Sequence, residues 1–196
     1  MSRPADIGVD LYWLPLGAGG HSVRLNGKVF EAVVARIERR MPSALYHSAL
    51  VVHTADGHVV VEQAPAWWGP GSARGVVGEG PVASRYAGRF RLFRYEVRRW
   101  RHGVIADIAE AVDSPRRLTS DPDAAQRLLD LVPSVPTPVW GRDDLGTGEM
   151  WNSNSTVSWL IASSGLPAES IVPPPGGRAP GWHAGVVVAR RSSAGR

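Results

Sequence analysis

The chain has 196 residues, carries a formal net charge of +4, is 43% hydrophobic and contains no cysteine. Its length and hydrophobic fraction predict a single domain over residues 1–196, with a core from about residue 8 to 189 and short flexible termini. The lack of cysteine excludes disulfides, thiolate metal sites and cysteine nucleophiles. No apolar run resembles a signal peptide or a membrane span, so we expect a soluble, cytoplasmic protein.

The positive charge comes almost entirely from arginine, since Lys28 is the only lysine. The arginine-rich runs at residues 36–40 and 89–101 alternate with apolar residues, as a solvated face of a helix or strand does. They match no known nucleic-acid-binding module. We therefore expect no nucleic-acid partner, and a weak attraction to phosphate-rich surfaces stays open.

The first half of the chain predicts a strand, a helix and a hairpin. Residues 9–16 form an apolar strand pattern, and residues 27–40 carry apolar side chains at helical spacing before Pro42 stops the helix. Two β-branched runs, 45–53 and 58–63, flank Asp56-Gly57, which is a strong hairpin signal.

The second half adds two strands, two helices and a last strand. Residues 76–82 predict a short strand, and residues 90–100 predict a strand with both faces buried. Helices are expected at 121–132 and 153–164, and a last strand at 184–189. The order predicts an α+β fold of one domain, with an antiparallel sheet packed against helices.

The segment from Asn152 to Ser155 places small polar groups directly before an apolar helix. A helix N-terminus presents unpaired N–H groups and the positive end of a dipole, so a hydroxyl there lies beside a potential oxyanion site. Asn and Ser are also preferred helix caps, so the segment can equally be structural.

His47 and Glu62 lie on the two strands of the predicted hairpin. A two-residue turn makes the sum of paired residue numbers odd, which directs both side chains to the same face. A diagonal arrangement would allow a carboxylate–imidazole hydrogen bond. Alternatively, Glu62 is an edge-strand charge facing water, and His47 is structural.

These residues resemble the circularly permuted branch of the papain-like superfamily, relatives of NlpC-type peptidases that include lecithin–retinol acyltransferase and YiiX-like hydrolases. The His strand of that branch matches Tyr46-His47-Ser48-Ala49-Leu50-Val51, and the acidic strand matches Val61-Glu62-Gln63-Ala64. The family's Asn-Cys helix start matches Asn152-Ser153-Asn154-Ser155. The resemblance spans roughly residues 45–165, and serine stands where the family has its thiol.

The resemblance implies amide or ester hydrolysis or acyl transfer, on a peptide or lipid-like acyl substrate. Ser153 would attack the acyl carbon, His47 would serve as general base, and Glu62 would hold the imidazole. Because serine needs more base assistance than cysteine, a catalytically inactive peptide- or lipid-binding module on the same fold is the alternative.

Other candidates surround this site in sequence. His183 begins a second strand-like segment and is a weaker candidate for the base, because no acidic residue follows it. Trp67, Trp151, Asn152 and Asn154 are candidate substrate-binding residues. The histidines show no compact ligand spacing, so we expect neither a metal nor a cofactor.

Overall fold

A computed structural model describes residues 7–16, 43–66, 74–105 and 107–195, whose strands and helices have an α+β arrangement. Their seven strands are β1 (Gly8–Pro15), β2 (Ala44–Thr54), β3 (Gly57–Pro65), β4 (Val76–Pro81), β5 (Arg94–Arg101), β6 (Val112–Thr119) and β7 (Gly177–Arg178). The sheet has the antiparallel order β4-β5-β3-β2-β1-β6, with β7 parallel to the start of β2.

The predicted hairpin is confirmed as β2 and β3. Thr54 pairs with Gly57, so the turn residues are Ala55 and Asp56, one position earlier than the sequence predicts. The pairing continues to Leu50 and Val61 and ends there. Beyond that point β3 remains paired with β5, while β2 remains paired with β1, so the two hairpin strands separate.

Three helices accompany this sheet in the described residues: α1 (Pro122–Leu131), α2 (Ser153–Ser163) and α3 (Trp182–Ala194). Helix α1 begins as predicted, because the Asp121 side chain accepts a hydrogen bond from the N–H of Asp123. Helix α2 also agrees with the sequence prediction, and it ends at Ser163, two residues before Gly165, whose positive φ of 86° suits glycine.

The main core lies between the helices and one face of the sheet. It contains Trp13 and Leu50 from the sheet together with Val157, Leu160 and Ile161 from α2, all almost fully buried. A smaller apolar cluster occupies the opposite face, and it contains Leu14, Ala49, Val51, Val60 and Ile105. Neighbouring residues along β1 and β2 belong to the two clusters in turn, because successive side chains of a pleated strand point to opposite faces of the sheet.

Two segments differ from the sequence prediction. Residues 184–189, expected as a strand, belong to α3, because Ala184, Gly185 and Ala189 pack closely against other parts of the protein. Residues 90–93, expected in a doubly buried strand, instead form an exposed 3₁₀ turn, Arg91–Phe93, and β5 begins only at Arg94. The edge strand β6 was not predicted, since its residues have a mixed polar pattern.

The predicted helix at residues 27–40 lies outside the described residues. None of the helices that the structure describes is long and apolar enough to cross a membrane.

Candidate functional site

The N-terminus of α2 is closed by its own capping residues. The Asn152 side-chain oxygen accepts hydrogen bonds from the backbone N–H groups of Asn154, at 2.9 Å, and Ser155, at 3.3 Å. In return, Ser155 Oγ accepts the N–H of Asn152 at 3.1 Å, which completes a capping box. Two of the N–H groups that could stabilise an oxyanion therefore already have an acceptor.

Asn154 joins this helix start to β2. Its Nδ2 donates to the carbonyl oxygen of Tyr46 at 2.9 Å, and its Oδ1 accepts from Ser48 Oγ at 2.9 Å. Because Leu45 O accepts from Leu16 N on the β1 side, the next carbonyl, that of Tyr46, points towards β3, where the ladder has ended. The Asn154 amide thus satisfies a backbone acceptor that the separation of β2 and β3 leaves without a strand partner.

Helix α3 covers the other side of the same helix start. Ser155 Oγ donates to the carbonyl oxygen of Gly181 at 2.7 Å, and Ser158 Oγ donates to that of Trp182 at 2.7 Å. A Cβ at Gly185 would collide with the Ser155 carbonyl oxygen and with Ser158 Oγ. Only glycine at position 185 permits this close approach of α3 to α2.

Ser153 and His47 are not hydrogen-bonded to each other in the described part of the chain. His47 pairs with Leu14, whereas its neighbour Ser48 pairs with Trp13 and contacts Asn154 of α2. Because side chains alternate along a strand, His47 points to the face that carries Leu14 and Ala49, away from the face on which α2 packs. The predicted hydroxyl–imidazole contact is not formed.

His47 lies on the face of the sheet that carries the smaller apolar cluster, and the carboxylate of Asp107 acts on its imidazole. Burial lowers the pKa of His47 from 6.5 to about 4, against the opposing effect of Asp107. The imidazole is therefore neutral at neutral pH, and it is a weak base, because an efficient general base has a pKa near the working pH.

Glu62 lies on the same face as His47 by the parity of the hairpin, but its carboxylate binds an arginine. Arg98 is its partner on β5, and Arg98 Nη1 donates to Glu62 Oε1 at 2.8 Å. Arg98 Nε also donates to the fully buried Glu96 at 3.0 Å. At Glu62 the pairing of β3 with β2 has ended, and the carboxylate side chain is 15% exposed and paired with Arg98.

The remaining predicted site residues have structural contacts or lie elsewhere. His183 is exposed on the first turn of α3, where its backbone N–H donates to Glu149 Oε2 at 3.2 Å. Trp151 is almost fully buried, and Asn152 Nδ2 donates to Pro180 O at 2.8 Å. Trp67 lies outside the described residues. Asn154 is also almost fully buried, and Asn152 is half-buried.

Sequence reasoning missed a buried polar contact between α2 and β3. Thr156 Oγ1 donates to the Gln63 side-chain oxygen, and both residues are almost completely buried. Within the residues that the structure describes, the Gln63 amide nitrogen has no hydrogen-bond partner. The sequence feature that could have indicated such contacts is the placement of Ser48 and Gln63. Both are polar residues at strand positions where the alternation otherwise puts apolar side chains.

The uncharged side chains at the start of α2 form a network of hydrogen bonds with one another and with neighbouring backbone groups. The first turn of α2 carries no acidic residue, and its side chains from Asn154 to Thr156 are at most 2% exposed. Across the described ranges, no group of three or more His, Asp or Glu side chains is placed to hold a metal ion.

Comparisons of the chain with family models, curated proteins and solved structures find no match.

Proposed function

We propose that the protein is a catalytically silent binding module with the layout of the permuted papain-like superfamily. The observation that carries this proposal is the closure of the α2 N-terminus, where Asn152 accepts from the N–H groups of both Asn154 and Ser155. An oxyanion at these two N–H groups would have to compete with the Asn152 side chain.

Two further observations, on His47 and on Glu62, support the absence of catalysis. His47, which would be the base, has a pKa of about 4 and lies on the other face of the sheet from α2. Glu62, which would orient the imidazole, is bound by Arg98 instead. A serine hydroxyl without a base beside it is a poor nucleophile, because its own pKa is far above neutrality.

The resemblance gives the class of ligand as a peptide or a lipid-like acyl group, bound without being cleaved. We expect a fluorescent long-chain fatty acid or a fluorescent peptide to bind saturably to the folded protein, with no release of product. If neither class binds, the binding half of the proposal fails while the lack of catalysis can still hold.

A fluorophosphonate probe tests the lack of catalysis. We expect no labelling of the folded wild-type protein under conditions that label an active serine hydrolase in a parallel sample. Labelling of the wild type that disappears in both Ser153→Ala and His47→Ala would overturn the proposal. Retention of any labelling in Ser153→Ala would assign it to another residue, so the two variants identify the reacting group.

A further inference from the structure

The loop between β4 and β5 exposes large apolar side chains on an ordered backbone. Tyr86 is 85% exposed, Leu92 72%, Phe90 58% and Phe93 43%. Soluble surfaces rarely concentrate so many large apolar side chains in eight residues, and such concentrations mark interaction sites. We call residues 84–94 the apolar loop.

Backbone hydrogen bonds hold the apolar loop in a defined shape. The N–H of Val82 donates to Phe93 O at 2.8 Å across the base of the loop. Inside it, Phe90 N donates to Ala87 O at 2.9 Å and Phe93 N donates to Phe90 O at 2.9 Å, which closes two successive 3₁₀ turns. The exposure of the aromatic side chains is therefore a property of a folded segment.

The same loop is cationic. Residues 85–94 contain four arginines, Arg85, Arg89, Arg91 and Arg94, and no acidic residue. Three of these arginines have carboxylate partners elsewhere: Arg85 with Asp144 at 3.5 Å, Arg91 with Glu96 at 3.7 Å and Arg94 with Glu79 at 2.9 Å.

In each of these pairs the arginine is the more exposed partner. The clearest case is Arg91, whose side chain is 57% exposed while that of Glu96 is fully buried. The guanidinium of Arg89 lies over the ring of Phe90, 5.3 Å from its centroid. The solvent-facing surface of the loop therefore presents positive charge around an apolar tip.

We propose that the apolar loop docks the protein onto an anionic lipid bilayer. Aromatic and leucine side chains would enter the boundary between headgroups and acyl chains, and the surrounding arginines would contact lipid phosphates. Leu92 favours this occupant over single-stranded nucleic acid, because leucine offers no ring on which a base can stack. The inference is independent of whether Ser153 reacts, since the loop shares no residue with the α2 N-terminus.

A site-specific fluorophore tests this docking, because the chain has no cysteine of its own. Leu92→Cys labelled with an environment-sensitive nitrobenzoxadiazole dye is mixed with vesicles of phosphatidylcholine, with or without phosphatidylglycerol. We expect a blue shift and a rise in emission only with the anionic vesicles. The matched control is Val172→Cys, another exposed apolar position at 65%, where we expect no change.

Vesicle sedimentation with unlabelled variants supplies the second measurement. Phe90→Ser combined with Leu92→Ser is expected to weaken binding at least about tenfold, and Arg89→Gln about fivefold, with added salt weakening the wild type further. Val172→Ser should bind like the wild type. Absence of wild-type binding to anionic vesicles overturns the proposal, as does binding that the loop variants leave unchanged. If the protein binds a labelled oligothymidylate and does not bind vesicles, the ligand of the apolar loop is nucleic acid and the bilayer proposal is wrong.

Discussion

At the N-terminus of α2 small polar side chains are buried, whereas in the apolar loop large hydrophobic side chains reach solvent. Asn154, Ser155 and Thr156 are at most 2% exposed, while Leu92 is 72% exposed. Burial of a polar group is tolerated only when a hydrogen bond replaces its water, and the α2 side chains each have such a partner. Exposure of an apolar side chain gains nothing in the folded state, and a concentration of several such side chains marks an interaction site.

The difference shows that residue type alone does not determine what a region contributes to the fold. The helix start has the composition of a reactive site, yet its hydrogen bonds connect structural elements. The apolar loop has the composition of a core strand, yet nothing in the described structure covers it. Because the two regions differ in what their side chains contribute to folding, stability measurements can separate them.

The largest effect is expected for Asn154→Ala. The amide side chain joins α2 to Tyr46, Ser48 and Pro180, so its loss leaves several buried groups without a partner. Each such group costs about 1–3 kcal/mol, and we expect a loss of about 4 kcal/mol in the free energy of unfolding. Urea denaturation measures it.

The matched control is Gln126→Ala, which also removes a hydrogen-bonded amide, but one that is exposed and donates only to Asp130. That variant should lose less than about 0.5 kcal/mol. Equal losses in the two variants would mean that the α2 N-terminus is not a structural junction.

A second effect, dependent on pH, is expected from His47. The unfolded chain takes up this proton near pH 6.5 and the folded protein only near pH 4, because burial disfavours the imidazolium. Between these values the unfolded state binds more protons, so stability falls as the pH drops from 6.5 to 4. The full loss amounts to about 3 kcal/mol.

Denaturation of the wild type and of His47→Gln over this pH range measures the effect. The wild type should lose about 3 kcal/mol more than the variant between neutral pH and pH 4. His183→Gln, which alters an exposed histidine, should follow the wild type. Parallel curves for the wild type and His47→Gln would show that His47 is not buried in its neutral form.

Much of the fold follows from local signals in the sequence. The hairpin is predicted because Asp56-Gly57 separates two β-branched runs, and α1 is predicted over residues 121–132 with Asp121 or Asp123 near its start. Residues 184–189 were assigned the wrong type, since a short apolar run suits a strand and a buried helix equally. The deciding contact is the close approach at Gly185, which depends on a partner helix distant in sequence.

The candidate site was predictable only in part. Asn152 was predicted both as a cap and as a substrate-binding residue, and the structure bears out the cap. Parity correctly put Glu62 on the face of His47, but it could not reveal that Arg98 on β5 binds the carboxylate. Strand alternation also puts His47 on the face of the sheet opposite to α2. The sequence could not predict this separation, because it does not show which face the helix covers.

The smallest effect is expected in the apolar loop, where one substitution can be compared at two positions. Leu92→Ser should change the free energy of unfolding by less than about 0.5 kcal/mol, because Leu92 is 72% exposed and buries little apolar area on folding. Leu160→Ser, the same change at a fully buried leucine of α2, should cost about 4 kcal/mol. A loss above about 1 kcal/mol for Leu92→Ser would show that the loop packs within the fold. A change near zero in the free energy of unfolding would mean that the exposed Leu92 side chain does not stabilise the fold. A side chain that is available for contact with lipid has to meet that condition.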